Sequence, residues 1–153
     1  GDWLADDILT TPGTLVGFDF SFAPPFVDRG AYLPGLSRAT SARAFWAELD
    51  ARCDDPDLGA ATFLESHRGT HFYLGAADGA KARFMRLRAC EQAFNASGGG
   101  KPSSVFDAIG AAQVAKASFA GMRLLHRLGQ GVAIWPFDPV PAERHSRLER
   151  ERG

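Results

Sequence analysis

Residues Leu15 to Phe26 read Leu-Val-Gly-Phe-Asp-Phe-Ser-Phe-Ala-Pro-Pro-Phe, and the fold expected of the chain depends on how this stretch is read. It opens as an apolar run too short for a buried helix, which makes a strand inside a sheet the natural expectation. Pro24 and Pro25 end any ladder, because neither can donate a backbone N–H. Asp19 sits near the carboxyl end of the run. In α/β sheets ligands gather outside the carboxyl ends of strands. Asp19 is therefore a candidate site residue, with a simple turn cap as the equally weighted alternative.

A second apolar run, Gly131-Val132-Ala133-Ile134-Trp135, also reads as a buried strand. Pro136 stops it, and Asp138 lies just past its end. Two strands separated by helices normally form a right-handed parallel crossover. Both carboxylates would then share one sheet edge. Two acids within reach of each other can hold a divalent cation with oxygen ligands and water. Such a cation polarises a phosphoryl oxygen and generates hydroxide. Aspartate is also common in turns at strand ends, and spacing alone slightly favours that plainer role.

Between the two runs the pattern is helical. Ser37, Thr40 and Ser41 offer N-caps, and Ala42, Phe45, Trp46 and Leu49 mark one apolar face to about Cys53. Asp54-Asp55-Pro56-Asp57 ends that helix, and Phe63 and Leu64 face inward on a short one. His67 and His71 have the spacing of a metal pair on a helix. Gly69 and Thr70 make a helix poor there, no third ligand is near, and a surface loop is the favoured reading. Ala80 to Phe94 is expected to be helical. Lys81, Arg83, Arg86 and Arg88 form a basic cluster with no acid until Glu91. Such a patch can meet phosphates, although a solvated helix face is the commoner role.

The glycine-rich stretch Ser97 to Ser103 is not a phosphate loop. That motif needs an earlier glycine and a hydroxyl residue after the lysine, and Asn95 and Pro102 occupy those positions. It reads as a connector into Ser104, an N-cap with Asp107 three residues on. The helical pattern then runs to Leu128, with a kink expected near Ala117-Ser118 and an end at Gly129 and Gly131.

Composition narrows the classes. The chain has 153 residues, 45% of them hydrophobic, and a formal net charge of -1. That is ordinary for one globular domain and carries no global mark of a nucleic-acid or membrane partner. No apolar run approaches membrane-spanning length, and no signal-peptide pattern opens the chain. Cys53 and Cys90 lie far apart and outside any Cys-x-x-Cys pattern, which supports neither zinc nor a disulfide framework. A cytoplasmic setting is the resulting expectation. Asp2 to Thr10 reads as an amphipathic helix or the end of a longer one. Glu143 to Gly153 alternates charges with Leu148 as its single large apolar residue, a solvated tail.

Five short pieces carry a resemblance. They are Val-Gly-Phe-Asp-Phe-Ser-Phe (16–22), Pro-Ser-Ser-Val-Phe (102–106), Gly-Ala-Ala-Gln-Val (110–114), Gly-Met-Arg-Leu-Leu (121–125) and Ala-Ile-Trp-Pro-Phe-Asp (133–138). In this order and rough spacing they resemble a bacterial family of ribonuclease H-like predicted nucleases, the domain of unknown function numbered four-hundred-and-twenty-nine. Some of its relatives carry a cobalamin-biosynthesis label.

The resemblance implies an α/β fold, a ribonuclease H-like three-layer domain over residues 1–140, with 141–153 as the charged tail. It implies that Asp19 and Asp138 are catalytic and bind Mg2+ or Mn2+, and that Glu91 belongs to an Arg-x-x-Glu element. Lys81, Arg83, Arg86, Arg88 and Glu91 would meet the substrate. Two departures stand out. Nothing before Asp19 matches the family's Val-Asp-Trp-Ser-Gly strand, and the charged tail replaces its Val-Glu-Ile-Tyr-Pro strand. The domain would be truncated at both ends, with an open sheet edge prone to self-association. The expected function is a metal-dependent nuclease-like domain, incomplete in this chain. The alternatives are a non-catalytic binding module on the same fold or a protein linked to cobalamin metabolism.

Overall fold

The computed structural model describes residues 10–11, 13–110, 114–129 and 131–139. The expected helix over Asp2 to Thr10 falls almost wholly outside them, as does the charged tail. The described residues form four α-helices joined by long irregular segments: α1 (Ala42–Arg52), α2 (Ala61–Ser66), α3 (Ala89–Ala96) and α4 (Val114–Leu128). Short 3-10 turns occupy Pro56–Leu58, Ala76–Asp78 and Lys81–Arg83.

The expected α/β ribonuclease H-like three-layer sheet is not there. Pairing between extended segments among the described residues is confined to two isolated bridges, Arg68 with Phe72 and Tyr73 with Asp107. The stretch from Leu15 to Phe22 does run without helical turns, and its exposure alternates residue by residue from Leu15 to Phe20, before Ser21 is buried. Phe18, Phe20 and Phe22 pack against the core, while Leu15 is 95% exposed. Their rings stack in tandem at 5.3 and 5.1 Å, as side chains two apart on one face must. What the segment lacks is a neighbouring strand. Its backbone finds side chains instead: Ser21 N–H donates to Ser118 Oγ at 3.1 Å, and Trp46 Nε1 donates to the Phe22 carbonyl at 2.7 Å. The period-two pattern therefore lays an extended ribbon over helices. The sheet edge expected to drive self-association has no counterpart among the described residues.

The second expected strand is a turn. Phe137 and Asp138 N–H both donate to the Ile134 carbonyl at 2.9 Å. Ile134 is buried, whereas Trp135 is exposed. Ile134 N–H donates to Asp138 Oδ2 at 2.7 Å, which closes the turn.

The α1 helix is as the pattern expects, with Ser41 Oγ accepting from Ala44 N–H and Ala42, Phe45, Trp46 and Leu49 buried. Helix α4 crosses it and forms the main helix pair. α4 is continuous, and the kink expected near Ala117-Ser118 is absent. Ser118 faces inward and accepts the ribbon's N–H instead of recapping. Gly121 lets the ribbon come close, since a Cβ there would sit 2.5 Å from the Phe20 ring. Gly129, at φ +70, ends α4 in the left-handed conformation glycine tolerates. Phe119 is the centre of the core, with the rings of Phe72 at 4.9 Å, Phe63 at 6.0 Å and Phe45 at 6.2 Å.

The region from Ala80 to Phe94 is a 3-10 turn, an irregular segment and then α3, not one helix. Only Phe84 of its expected inward face is fully buried, and Cys90 and Phe94 are exposed. Ser104 starts no helix. Its hydroxyl donates to the Arg86 carbonyl at 2.7 Å and pins this segment, while Val105 and Phe106 enter the core.

Candidate functional site

The structure gives Asp19 and Asp138 no common partner. Asp19 is exposed at a bend of the ribbon and makes no hydrogen bond or ion pair among the described residues. Asp138 is fully engaged. Arg43 grips both its oxygens, with Nε on Oδ1 at 2.8 Å and Nη2 on Oδ2, and Ile134 N–H takes a second bond to Oδ2. The Arg43 hydrogen bonds hold its carboxyl below the usual range. Arg43 also reaches the carbonyls of Gly129 and Val132. Asp138 thus fastens the 131–139 turn to α1, where Phe137 lies edge-on to Trp46 at 5.4 Å. Among the described residues, no group of three or more His, Cys, Asp or Glu is placed to hold a metal ion.

The basic residues singled out in sequence fall into separate places. Glu91 accepts from Arg88 N–H at 2.7 Å and pairs with its guanidinium, so the two cap the start of α3. Lys81 pairs with Asp107 at 2.6 Å beside the Tyr73 ring. Arg86 is a staple. Its guanidinium holds Asp28 through two bonds of 2.7 Å, reaches the carbonyls of Pro25 and Tyr32, and lies over Phe106. Asp28 is held ionised by that pair, its carboxyl pushed below the ordinary value chiefly by the Arg86 hydrogen bond.

Arg83 and Arg86 nevertheless share one small cavity of about 30 Å3, together with Arg29, Thr70, His71, Phe84 and Phe106. Three segments build it. The turn after Phe26, closed by Gly30 N–H on the Phe26 carbonyl at 2.7 Å, brings Arg29. The turn after α2 brings Thr70 and His71, whose N–H groups both point back to the His67 carbonyl. The 3-10 turn at Lys81–Arg83 and the segment after it bring the other two arginines. Arg29 makes no side-chain hydrogen bond or ion pair among the described residues. Arg83 uses one donor on the Gly69 carbonyl at 3.0 Å and lies over Phe84. A guanidinium carries five N–H donors, so both keep donors for a ligand. Burial pushes the His71 imidazole below its ordinary value, with His67, Arg86 and Arg29 adding to the effect. Neutral imidazole still offers one N–H and one acceptor.

The wider groove along α2, about 480 Å3, has one cation, Lys116, and one anion, Glu65, on its walls. It presents no comparable convergence of like groups. Sequence reasoning found Arg83 and Arg86 but missed Arg29, Thr70 and His71 as their neighbours. Arg29 had no signal of its own in an irregular loop. Cys53 is buried, and that burial pushes its thiol up to about 11, which disfavours the thiolate.

The fold and site define a small helical chain with a cationic cavity. No family model matches it, and neither do the curated proteins or the solved structures. Among the described residues, no helix is long and apolar enough to cross a membrane.

Proposed function

We propose that the chain is a non-catalytic binding module for the phosphate groups of a nucleic acid. The observation that carries this is the convergence of Arg29, Arg83 and Arg86 with Thr70 and His71 on one cavity. Guanidinium forks match phosphate oxygens, and the net charge of -1 makes a local cluster of three arginines more telling. The state of Asp138 favours binding over hydrolysis. A carboxylate already holding an arginine and a backbone N–H has little left for a cation.

The test is equilibrium binding of a labelled single-stranded DNA over a salt series. Affinity falls with salt, and Arg29→Ala or Arg83→Ala should each flatten the slope by about one. Salt-independent binding, or slopes untouched by either change, would sink the reading. So would Mn2+-dependent cleavage that disappears in Asp19→Asn, which would restore the nuclease expectation.

A further inference from the structure

We infer that the cavity takes the terminal phosphate of a nucleic-acid strand, a phosphomonoester, and not an internal phosphodiester. This rests on the nucleic-acid reading above and names which part of the polymer the cavity holds.

Size is the first argument. A cavity needs roughly 10–15 Å3 to hold one water, so about 30 Å3 is room for two or three oxygen-sized groups and for no sugar or base. An internal phosphodiester carries an ester arm on each side. A group that ends the chain enters such a cavity head first with its one ester arm left outside.

Charge is the second argument. Asp28 holds Arg86 through two bonds and offsets its charge. Arg29 and Arg83 then leave two uncompensated positive charges at the wall. A phosphomonoester carries about −1.5 to −2 at neutral pH, while each internal phosphate carries a single negative charge. The dianion matches the wall, and the monoanion leaves one arginine unmatched.

Donor placement is the third. The Arg29 guanidinium, the donors Arg83 keeps beside its bond to the Gly69 carbonyl, and the lining residues Thr70 and His71 come from separate segments of the chain. Three terminal phosphoryl oxygens point in more directions than the two non-bridging oxygens of a diester and so meet donors from more of these segments.

The experiment compares one DNA oligonucleotide with a 5′-phosphate against the same oligonucleotide with a 5′-hydroxyl, beside titration of inorganic phosphate alone. The phosphorylated strand should bind about tenfold tighter, the gain expected of one further charge-assisted hydrogen bond. In Thr70→Ala and Arg29→Ala that ratio should fall toward one. Both residues are exposed, and a thermal melt of each variant confirms that it folds. Equal, measurable binding of both strands would overturn this inference and leave the nucleic-acid reading standing. Binding of inorganic phosphate without binding of either strand would keep the phosphomonoester cavity and overturn the nucleic-acid reading. No binding of any of the three would overturn both.

Discussion

Two regions of the molecule gather arginines, and they differ in what the guanidinium donors meet. Where α4 crosses the end of α1, Arg123 is 4% exposed. It donates to Asp50 Oδ1 at 2.9 Å and to the carbonyls of Cys53, Asp55 and Gly59. Arg127 adds a second pair to Asp50 at 2.7 Å. Both arginines and Asp50 are paired there inside the fold. At the cavity, Arg86 is engaged in the same way, but among the described residues Arg29 has no side-chain partner and Arg83 has one carbonyl. Clustering of arginines is common to both regions. Guanidinium charge with no carboxylate partner among the described residues distinguishes the second, and that is what an anionic ligand can recognise.

The largest effect should separate the regions by stability. Arg123→Met leaves Asp50 buried, with 8% of its side chain exposed, and three carbonyls without their donor. Removing one partner of a buried pair costs about 3–5 kcal/mol. Retention of Arg127 places the expectation near the lower end, read by urea unfolding. Arg29→Ala in the same assay should shift stability by no more than about 0.5 kcal/mol, as for most surface changes. Equal losses in the two variants would break the comparison.

A smaller effect tests the same contrast on carboxylates. Asp138→Asn loses the two-oxygen grip of Arg43 and weakens the turn closed by Ile134 N–H. With both side chains about a fifth exposed, a loss of about 1–2 kcal/mol is expected. Asp19→Asn removes no contact and should be neutral. If Asp19→Asn proved the costlier change, Asp19 would have a partner that its exposed position does not show.

The same contrast explains what could be read from sequence. Helix α1 was legible because one feature, the spacing of Phe45, Trp46 and Leu49 behind Ser41, decides both its period and its start. The ribbon at Leu15 to Phe22 was half legible. A short apolar run ended by Pro24 and Pro25 pointed to an extended backbone but says nothing about a neighbour, and a sheet needs one. Ser118 and Trp46 took the backbone partners' place, and no local pattern announces a partner 97 residues away. Asp138 followed the same course. An acid after a strand and an acid closing a turn on Arg43 read alike until the fold brings Arg43 across. The cavity was legible only as a charge run. Arg83 and Arg86 belong to it, whereas Lys81 and Arg88 are claimed by Asp107 and Glu91.

His71 sharpens the comparison through pH. Its imidazole titrates below the ordinary 6.5, chiefly because it is half buried among the cavity residues. Facing it are Arg29, Arg83 and Arg86, with Asp28 on Arg86 and the His67 ring 6.2 Å away. His67 is lowered too, by burial and Arg52. A base with a depressed folded value binds fewer protons folded than unfolded. Its contribution to stability is therefore complete above 6.5 and is lost as pH falls from there through the folded value. The melting temperature should decline across that window in the parent. His71→Gln should flatten the decline without removing it, because His67 titrates in the same direction. Saturating phosphate should oppose the decline, since an anion beside the ring favours its charged form. A decline that phosphate leaves untouched would mean that the ring does not face the anion, and the cavity would lose one of its four donor groups.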